Sequence, residues 1–354
     1  MHDLNAIRYV HRYEIAKNVP FNSTISYAEL ASKCSVDESQ LKQMLRHLMV
    51  IHVFCEPSPN HVAHTASSKL LLHKGIGAFS AYMSEDGLPL VAAQIPALEK
   101  WGHGSQEPTQ AAFNYAYNTE EDMYSFYEHT PAPRERFSDM LTFVSSFYTM
   151  SREHAATGFD WASLGAATVV DIAGNLGNAS VAIARANSQL KCVVQDLPAV
   201  IKQAQDPATS VVPEDLQDRI SFMVHSFYEP QPIKADVYFI RQIMHDYSDK
   251  YCIKILRAIL TAMKPGSRIV IMDKVRPPVG VVPPVFERMI RTMDLQMMAL
   301  TNAKERDKEE WAKLVHDADA RLKIRNVVQP PLSSMSLIEI VLEDGLNGHG
   351  DGHA

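Results

Sequence analysis

The stretch that most constrains the fold runs from Val169 to Asp196, VVDIAGNLGNASVAIARANSQLKCVVQD. An apolar run from Thr168 to Ile172 carries one acid, Asp171. A turn of small residues follows, Ala173-Gly174-Asn175-Leu176-Gly177-Asn178. A helix-period run, Ala179 to Ala186, then leads to a second apolar run, Cys192-Val193-Val194, closed by Asp196. Strand, glycine turn, helix, strand, acid is the opening βαβ unit of a doubly wound sheet. Glycine in such a turn lets a ligand approach the backbone, and an acid ending the second strand can accept hydrogen bonds from both hydroxyls of a ribose. The dinucleotide fingerprint G-x-G-x-x-G is not met, because Ala173 stands at its first position and Asn175 at its third.

A chain of 354 residues suggests two domains. Net charge of −7 argues against a nucleic-acid partner. Cys34, Cys55, Cys192 and Cys252 are scattered with no CxxC pair, so they read as free thiols in a reducing compartment and not as metal ligands. No apolar run has membrane-spanning length, and the N-terminus lacks a secretory apolar region. The expectation is a cytoplasmic protein with no membrane partner and no metal. The histidines of the tail, GLNGHGDGHA, suit weak adventitious metal binding rather than a site.

Along the chain, residues 1–106 read as a winged-helix-like unit. Ile7, Val10, Tyr13 and Ile15 share a helical face; Ser26 with Glu29 has a capping-box pattern; a helix starts near Asp37. Val53 to Glu56 and His61 to His64 flank Pro-Ser-Pro-Asn, a hairpin signal. In the helix that would face DNA, only Lys42 and Arg46 are firm cations, so a dimerisation or packing role is favoured. Residues 107–345 read as the catalytic domain, and 346–354 as a flexible tail. Within the catalytic domain, the aromatic-rich stretch from Pro108 to Met150 suits core packing with some walls for a planar ligand. Strands are expected at Ile220 to Val224, Ala235 to Ile240 and Arg268 to Asp273, and an antiparallel edge pair at Leu322 to Val327 and Ser336 to Leu342.

In an open α/β sheet, ligands bind beyond the carboxyl ends of the strands. Those ends carry Asp171 with its glycine turn, Asp196, Ser226, Arg241 through Asp246, and Asp273-Lys274; the loop Lys304-Glu305-Arg306 adds to the rim. The succession of glycine turn, QDLP, HSFYEPQP, DVYFIRQIMHDYSD, KPGSRIVIMD and KERDKEEW resembles the caffeate and fungal-polyketide type of S-adenosyl-L-methionine-dependent O-methyltransferase over almost the whole chain. The LRHLM, His64-Thr65-Ala66 and Phe113-Asn114 segments fit the fungal branch. On this resemblance the chain is expected to begin later than many such enzymes. The resemblance implies a Rossmann-like doubly wound α/β domain behind an N-terminal helical, winged-helix-like dimerisation domain, a homodimer, and a small natural-product substrate. It also implies roles. Asp171, Gly174 and Gly177 would line the methionine part of the cofactor, Asp196 would hold the ribose, Leu197 and Phe227 would flank the adenine, and Ser226 stands where an acid usually receives the adenine amino group. Arg241 would contact the cofactor, His245 would take the hydroxyl proton, and Asp273 and Glu305 would orient it.

Chemistry supports the role of His245 independently: methyl transfer from a sulfonium needs an oxyanion, and an imidazole with a pKa near seven beside a carboxylate can make one. Three departures at Ala173, Asn175 and Ser226, and a cation at Lys274, keep a second activity open. This is the methyltransferase-fold pericyclase, a dehydration or Alder-ene or hetero-Diels-Alder catalyst. In it Lys274 and His245 would polarise a carbonyl, and the cofactor would be weak, structural or absent. A catalytically dead binding subunit is the third reading; His245, Glu305 and Asp196 argue against it.

Overall fold

The computed structural model describes residues 1–343; the tail expectation, residues 346–354, lies outside the described residues. These residues divide into two compact units. One comprises Met1–His103 with Ala112–Phe147, the other Gly104–Ala111 with the chain from Tyr148 onward.

In the first unit, side-chain caps start the helices where the sequence places them. Ser26 accepts the Glu29 N–H at 3.2 Å and opens Tyr27–Cys34; Asp37 accepts the Gln40 N–H at 2.8 Å and opens Glu38–Val50. Leu41, Leu45 and Leu48 recur at helical spacing on the second of these and, like Leu30 on the first, are fully buried. Strands β1 (Ile25–Ser26), β2 (Cys55–Ser58) and β3 (His61–Ala63) form a small antiparallel sheet in the order β1-β3-β2. The Gly- and Pro-containing stretch that follows is helical from Lys74 to Trp101, with one π turn at Met83–Gly87. That turn buries Asp86, whose carboxylate takes two bonds from Arg136, at 2.6 and 2.7 Å, and one from the Tyr117 hydroxyl. Phe113, fully buried, stacks edge-on against Phe126 and Tyr127.

The second unit is built on a seven-stranded mixed sheet: β4 (Ala167–Ile172), β5 (Leu190–Asp196), β6 (Ile220–Val224), β7 (Val237–Arg241), β8 (Arg268–Asp273), β9 (Leu322–Val328) and β10 (Ser336–Leu342). The order is β6-β5-β4-β7-β8-β10-β9, parallel from β6 to β8, with β10 antiparallel to both its neighbours. Strand period two distributes the core. Val170, Tyr238, Ile240, Ile269 and Ile271 face the helices Asp249–Leu260 and Lys308–Ala318 through Ile255, Leu256 and Trp311. Val169, Val237, Phe239, Val270 and Met272 face the opposite layer through Trp161, Ala179 and Ile183. This is a class I methyltransferase-like α/β fold. One expectation is corrected: Ser336–Leu342 is not an edge strand. It lies between β8 and β9, and its apolar residues Leu337, Ile338 and Ile340 are buried on both faces, as an interior strand requires.

The strand order reverses between β4 and β7. Ligand sites of open α/β sheets lie outside the carboxyl ends of the strands at such a point.

Candidate active site

At the end of β4 the chain enters left-handed backbone three times, at Ala173 (φ 53°), Asn175 (φ 54°) and Gly177 (φ 87°). Glycine accepts this freely; asparagine tolerates it; alanine holds it under strain. The turn wraps a carboxylate. Asp171 is 1% exposed and accepts the Ser180 hydroxyl at 2.7 Å, and a Cβ on Gly174 would lie 2.6 Å from its Cγ. Gly174 is therefore needed by packing against Asp171 as well as by any ligand. Burial lifts the Asp171 carboxyl to about 6, against the pull of the Ser180 bond and Arg241.

Asp196 closes β5. Its Oδ2 accepts the Asn175 N–H at 2.8 Å and its Oδ1 the Leu197 N–H at 2.8 Å. Each oxygen keeps a lone pair for a second donor, the requirement for a vicinal diol. Leu197 is half-exposed beside it. Just beyond the end of β6, the Ser226 hydroxyl accepts the Tyr228 N–H at 3.4 Å within its own turn, and Phe227 stacks edge-on against Tyr247.

Arg241 ends β7. Its Nη2 donates to the Met150 carbonyl at 2.7 Å, while its Nε is buried with no hydrogen-bond partner. Burial, then neighbouring Arg152, lowers this guanidinium to about 10, against Asp171 and Asp273. The next residue, Gln242, is again left-handed (φ 54°), and a single 3-10 turn, Met244–Asp246, follows.

His245 sits on that turn. Its backbone N–H donates to Asp273 Oδ2 at 3.1 Å, and its Nδ1 lies 3.2 Å from Glu305 Oε1. Asp246 Oδ1 lies 3.6 Å from Nε2, and Asp273 Oδ1 lies 3.9 Å from Nδ1. Asp273, at the end of β8, and Glu305 are both fully buried. Lys274 Nζ shares Glu305 Oε1 at 3.3 Å. Burial alone would lower the imidazole, but Asp273, Asp246 and the Glu305 hydrogen bond raise it, up to about 10. This differs from the value near seven expected from the sequence, because Asp246 joins the two acids that the resemblance implied, Asp273 and Glu305, and three carboxylates converge on one buried ring. Glu305 is held below its ordinary range: burial opposes, but the imidazole and the Lys274 ammonium prevail. Asp273 is raised, mainly by burial.

His245, Asp273 and Glu305 are of metal-ligating types, with candidate ligand atoms within 4.8 Å of one another. The Lys274 ammonium already supplies a cation to Glu305 Oε1 there. A divalent ion would sit against that fixed charge.

The sequence-expected residues fall into two groups on one rim. Asp171, Gly174, Gly177, Asp196, Leu197, Ser226 and Phe227 lie at the β4–β6 ends; His245, Asp273, Lys274 and Glu305 lie at the β7 and β8 ends. Arg241 joins them, since it interacts electrostatically with both Asp171 and Asp273. Sequence reasoning assigned no role to Ser180, which fixes Asp171, or to Asp294, whose Oδ1 accepts the Glu305 N–H at 3.0 Å. A serine nine residues after a strand acid and an acid within a long helix carry no local signal.

The residues present fit an S-adenosyl-L-methionine site, given the open lone pairs of Asp196 and the unpartnered, buried Nε of Arg241. Comparison with known proteins agrees. The O-methyltransferase domain family matches residues 101–320. O-methyltransferase VdtC of Byssochlamys spectabilis is 37% identical over 341 residues, covering 96% of this chain and 78% of that protein. The OxaC structure in complex with SAH and oxaline superposes with a TM-score of 0.75 at 23% identity, over 97% of this chain and 85% of that one. The LepI complex with SAM superposes with a TM-score of 0.70 at 25% identity, over 96% and 86%. A family match over most of the chain, together with an acid-bearing glycine turn and a carboxylate-bound histidine on one rim, makes this chain a member of the O-methyltransferase family.

Proposed function

We propose that this protein is an S-adenosyl-L-methionine-dependent O-methyltransferase that acts on a hydroxylated aromatic or polyketide-type secondary metabolite. One observation carries the reading: the His245 imidazole, fixed on Glu305 and Asp273, stands on the same rim as Asp196. The cofactor, when bound, supplies an electrophilic methyl group. Asp196 grips the ribose, Arg241 faces the cofactor from β7, and Gly174 and Gly177, supported from beneath by Asp171, line its methionine part. Leu197, Ser226 and Phe227 surround the adenine. His245 takes the proton of the substrate hydroxyl. It does so in its neutral form, which the surrounding carboxylates make the minor form at neutral pH and which grows as pH rises toward the raised midpoint. Asp273 and Glu305 orient the ring and stabilise the imidazolium that forms. The test is purified protein with a panel of phenolic polyketides and the cofactor. Products heavier by one methyl with matching SAH support the reading, and no SAH from any of them counts against it.

The second reading is a methyltransferase-fold pericyclase. It is favoured by the likeness to a solved pericyclic reaction enzyme, TM-score 0.70 at 25% identity, and by Lys274 and a charged His245 sharing Glu305 Oε1. Both cations would then polarise a substrate carbonyl. An isomerised or dehydrated product with no cofactor consumed identifies it.

We also propose a winged-helix-like dimerisation domain begun by residues 1–106 and a catalytic domain within 107–345, with Ala112–Phe147 belonging to the compact unit of the first and not of the second. The helix pair closed by a hairpin supports the first assignment. All four cysteines are free, which suits a cytoplasmic protein; among the described residues no helix is long and apolar enough to cross a membrane.

A further inference from the structure

Glu305 and Arg306 are neighbours in an extended segment that bridges in parallel to Val275, with the Arg276 N–H donating to the Arg306 carbonyl at 2.8 Å. Successive side chains of extended backbone point to opposite sides. Glu305 reaches the His245 ring. Arg306 goes the other way, beneath the turn that carries His245. Its Nη1 donates to the Met244 carbonyl at 2.8 Å and its Nη2 to the Tyr247 carbonyl at 2.9 Å, while Nε donates to Asp249 Oδ1 at 2.9 Å. Arg306 is 1% exposed. A buried guanidinium is strongly unfavourable unless its donors are satisfied, and each of its three nitrogens has a partner here. The Cys252 thiol contacts the same two carbonyls, at 3.2 and 3.3 Å.

The held segment needs such support. It is one short 3-10 turn entered through left-handed Gln242, and it has no side-chain N-cap. The two clamped carbonyls bracket His245, one residue before it and two after it. From the other side the Asp273 carboxylate accepts the His245 N–H.

We infer that Arg306 is a positioning residue: by clamping the carbonyls of Met244 and Tyr247 it places the His245 ring on Glu305. Lysine keeps the charge but not the planar fork that reaches two carbonyls at once. In Arg306→Lys the turn loosens and Nδ1 drifts from Glu305. The charged groups facing the ring, namely Asp246, Asp273, Glu305 and Lys274 through Glu305, are unchanged in the variant, as is the charge at position 306. A change in the titration of His245 therefore reports its position.

The experiment is ring-labelled histidine NMR of the full chain, with His245 assigned by its loss in His245→Ala, beside thermal melting and calorimetric titration with SAH. The expected result for Arg306→Lys is a cooperative melt, SAH affinity as in the parent, and a His245 midpoint lowered by about one unit or more toward the ordinary imidazole value. A lowered melting temperature with the His245 midpoint unmoved shows a structural role only and overturns the inference. Should Arg306→Lys not fold, Asp249→Asn removes the carboxylate that anchors the guanidinium. A smaller shift of the same sign then supports the inference, and a parental midpoint in that folded variant overturns it. The consequence for catalysis rests on the reading of His245 as base, but the titration does not. Methyl transfer retained in His245→Ala would sink the base assignment and leave the positioning result standing.

Discussion

Glu305→Gln isolates one charge in the catalytic cluster. Glutamine keeps the shape and an oxygen that can accept from Nδ1, so the ring stays oriented while the negative charge is lost. Glu305 is fully buried, and Oε1 lies 3.2 Å from the imidazole and 3.3 Å from the Lys274 ammonium. A hydrogen bond to a charged partner contributes about 1.5–3 kcal/mol, which is about 1–2 pH units. The His245 midpoint should therefore drop by about 1–2 units from its raised value near 10. It should remain above the ordinary 6.5, because Asp273 and Asp246 are untouched. The assay is pH titration of ring-labelled histidine without substrate. Methylation should follow: the base acts when neutral, so the rate rises with pH through the His245 midpoint, and in the variant this rise shifts to lower pH. The stability contribution has the matching sign. A folded pKa above the unfolded value stabilises fully below about 6.5 and is lost as pH climbs through the raised value. An unchanged His245 midpoint in folded Glu305→Gln would refute the idea that this carboxylate sets the proton affinity of the base.

Other perturbations test the cofactor side. Ser226→Asp restores an acceptor where the adenine amino group is expected, and calorimetry should show SAH binding about tenfold tighter or more; no gain removes Ser226 from the adenine contact. Asp196→Asn replaces one acceptor oxygen with a donor that opposes a backbone N–H, so SAH affinity should fall at least about tenfold with the melting temperature nearly kept; undiminished binding would refute the ribose assignment. Ala173→Gly relieves a left-handed alanine (φ 53°). It should stabilise the fold by about 0.5–1 kcal/mol, seen as a melting temperature about 1–2 °C higher; a lower value would show that the alanine methyl packs usefully. Sedimentation of the full chain should give a dimer, and a monomer at micromolar concentration would contradict the role given to residues 1–106.

The sequence alone carried the βαβ opening, because apolar strands, small-residue turns and strand-end acids are local signals. It placed Asp171, Asp196, Arg241, His245 and Asp273 at strand ends without any contact being known. It marked Ser26 as a helix cap and a helix start near Asp37 for the same reason, since a cap reaches only three residues. Other features depended on partners distant in the chain. Glu305 meets His245 across 60 positions, and Arg306 meets Met244 across 62. The insertion of Ser336–Leu342 between β8 and β9 is likewise a matter of pairing, which periodicity does not report. The proton affinity of His245 belongs to this second class. The residue type promised a base near seven, but three carboxylates drawn from the ends of two strands and a loop raised it well above that value. Electrostatic energy depends on distances in space, and those were decided only when the sheet brought its strand ends onto one rim.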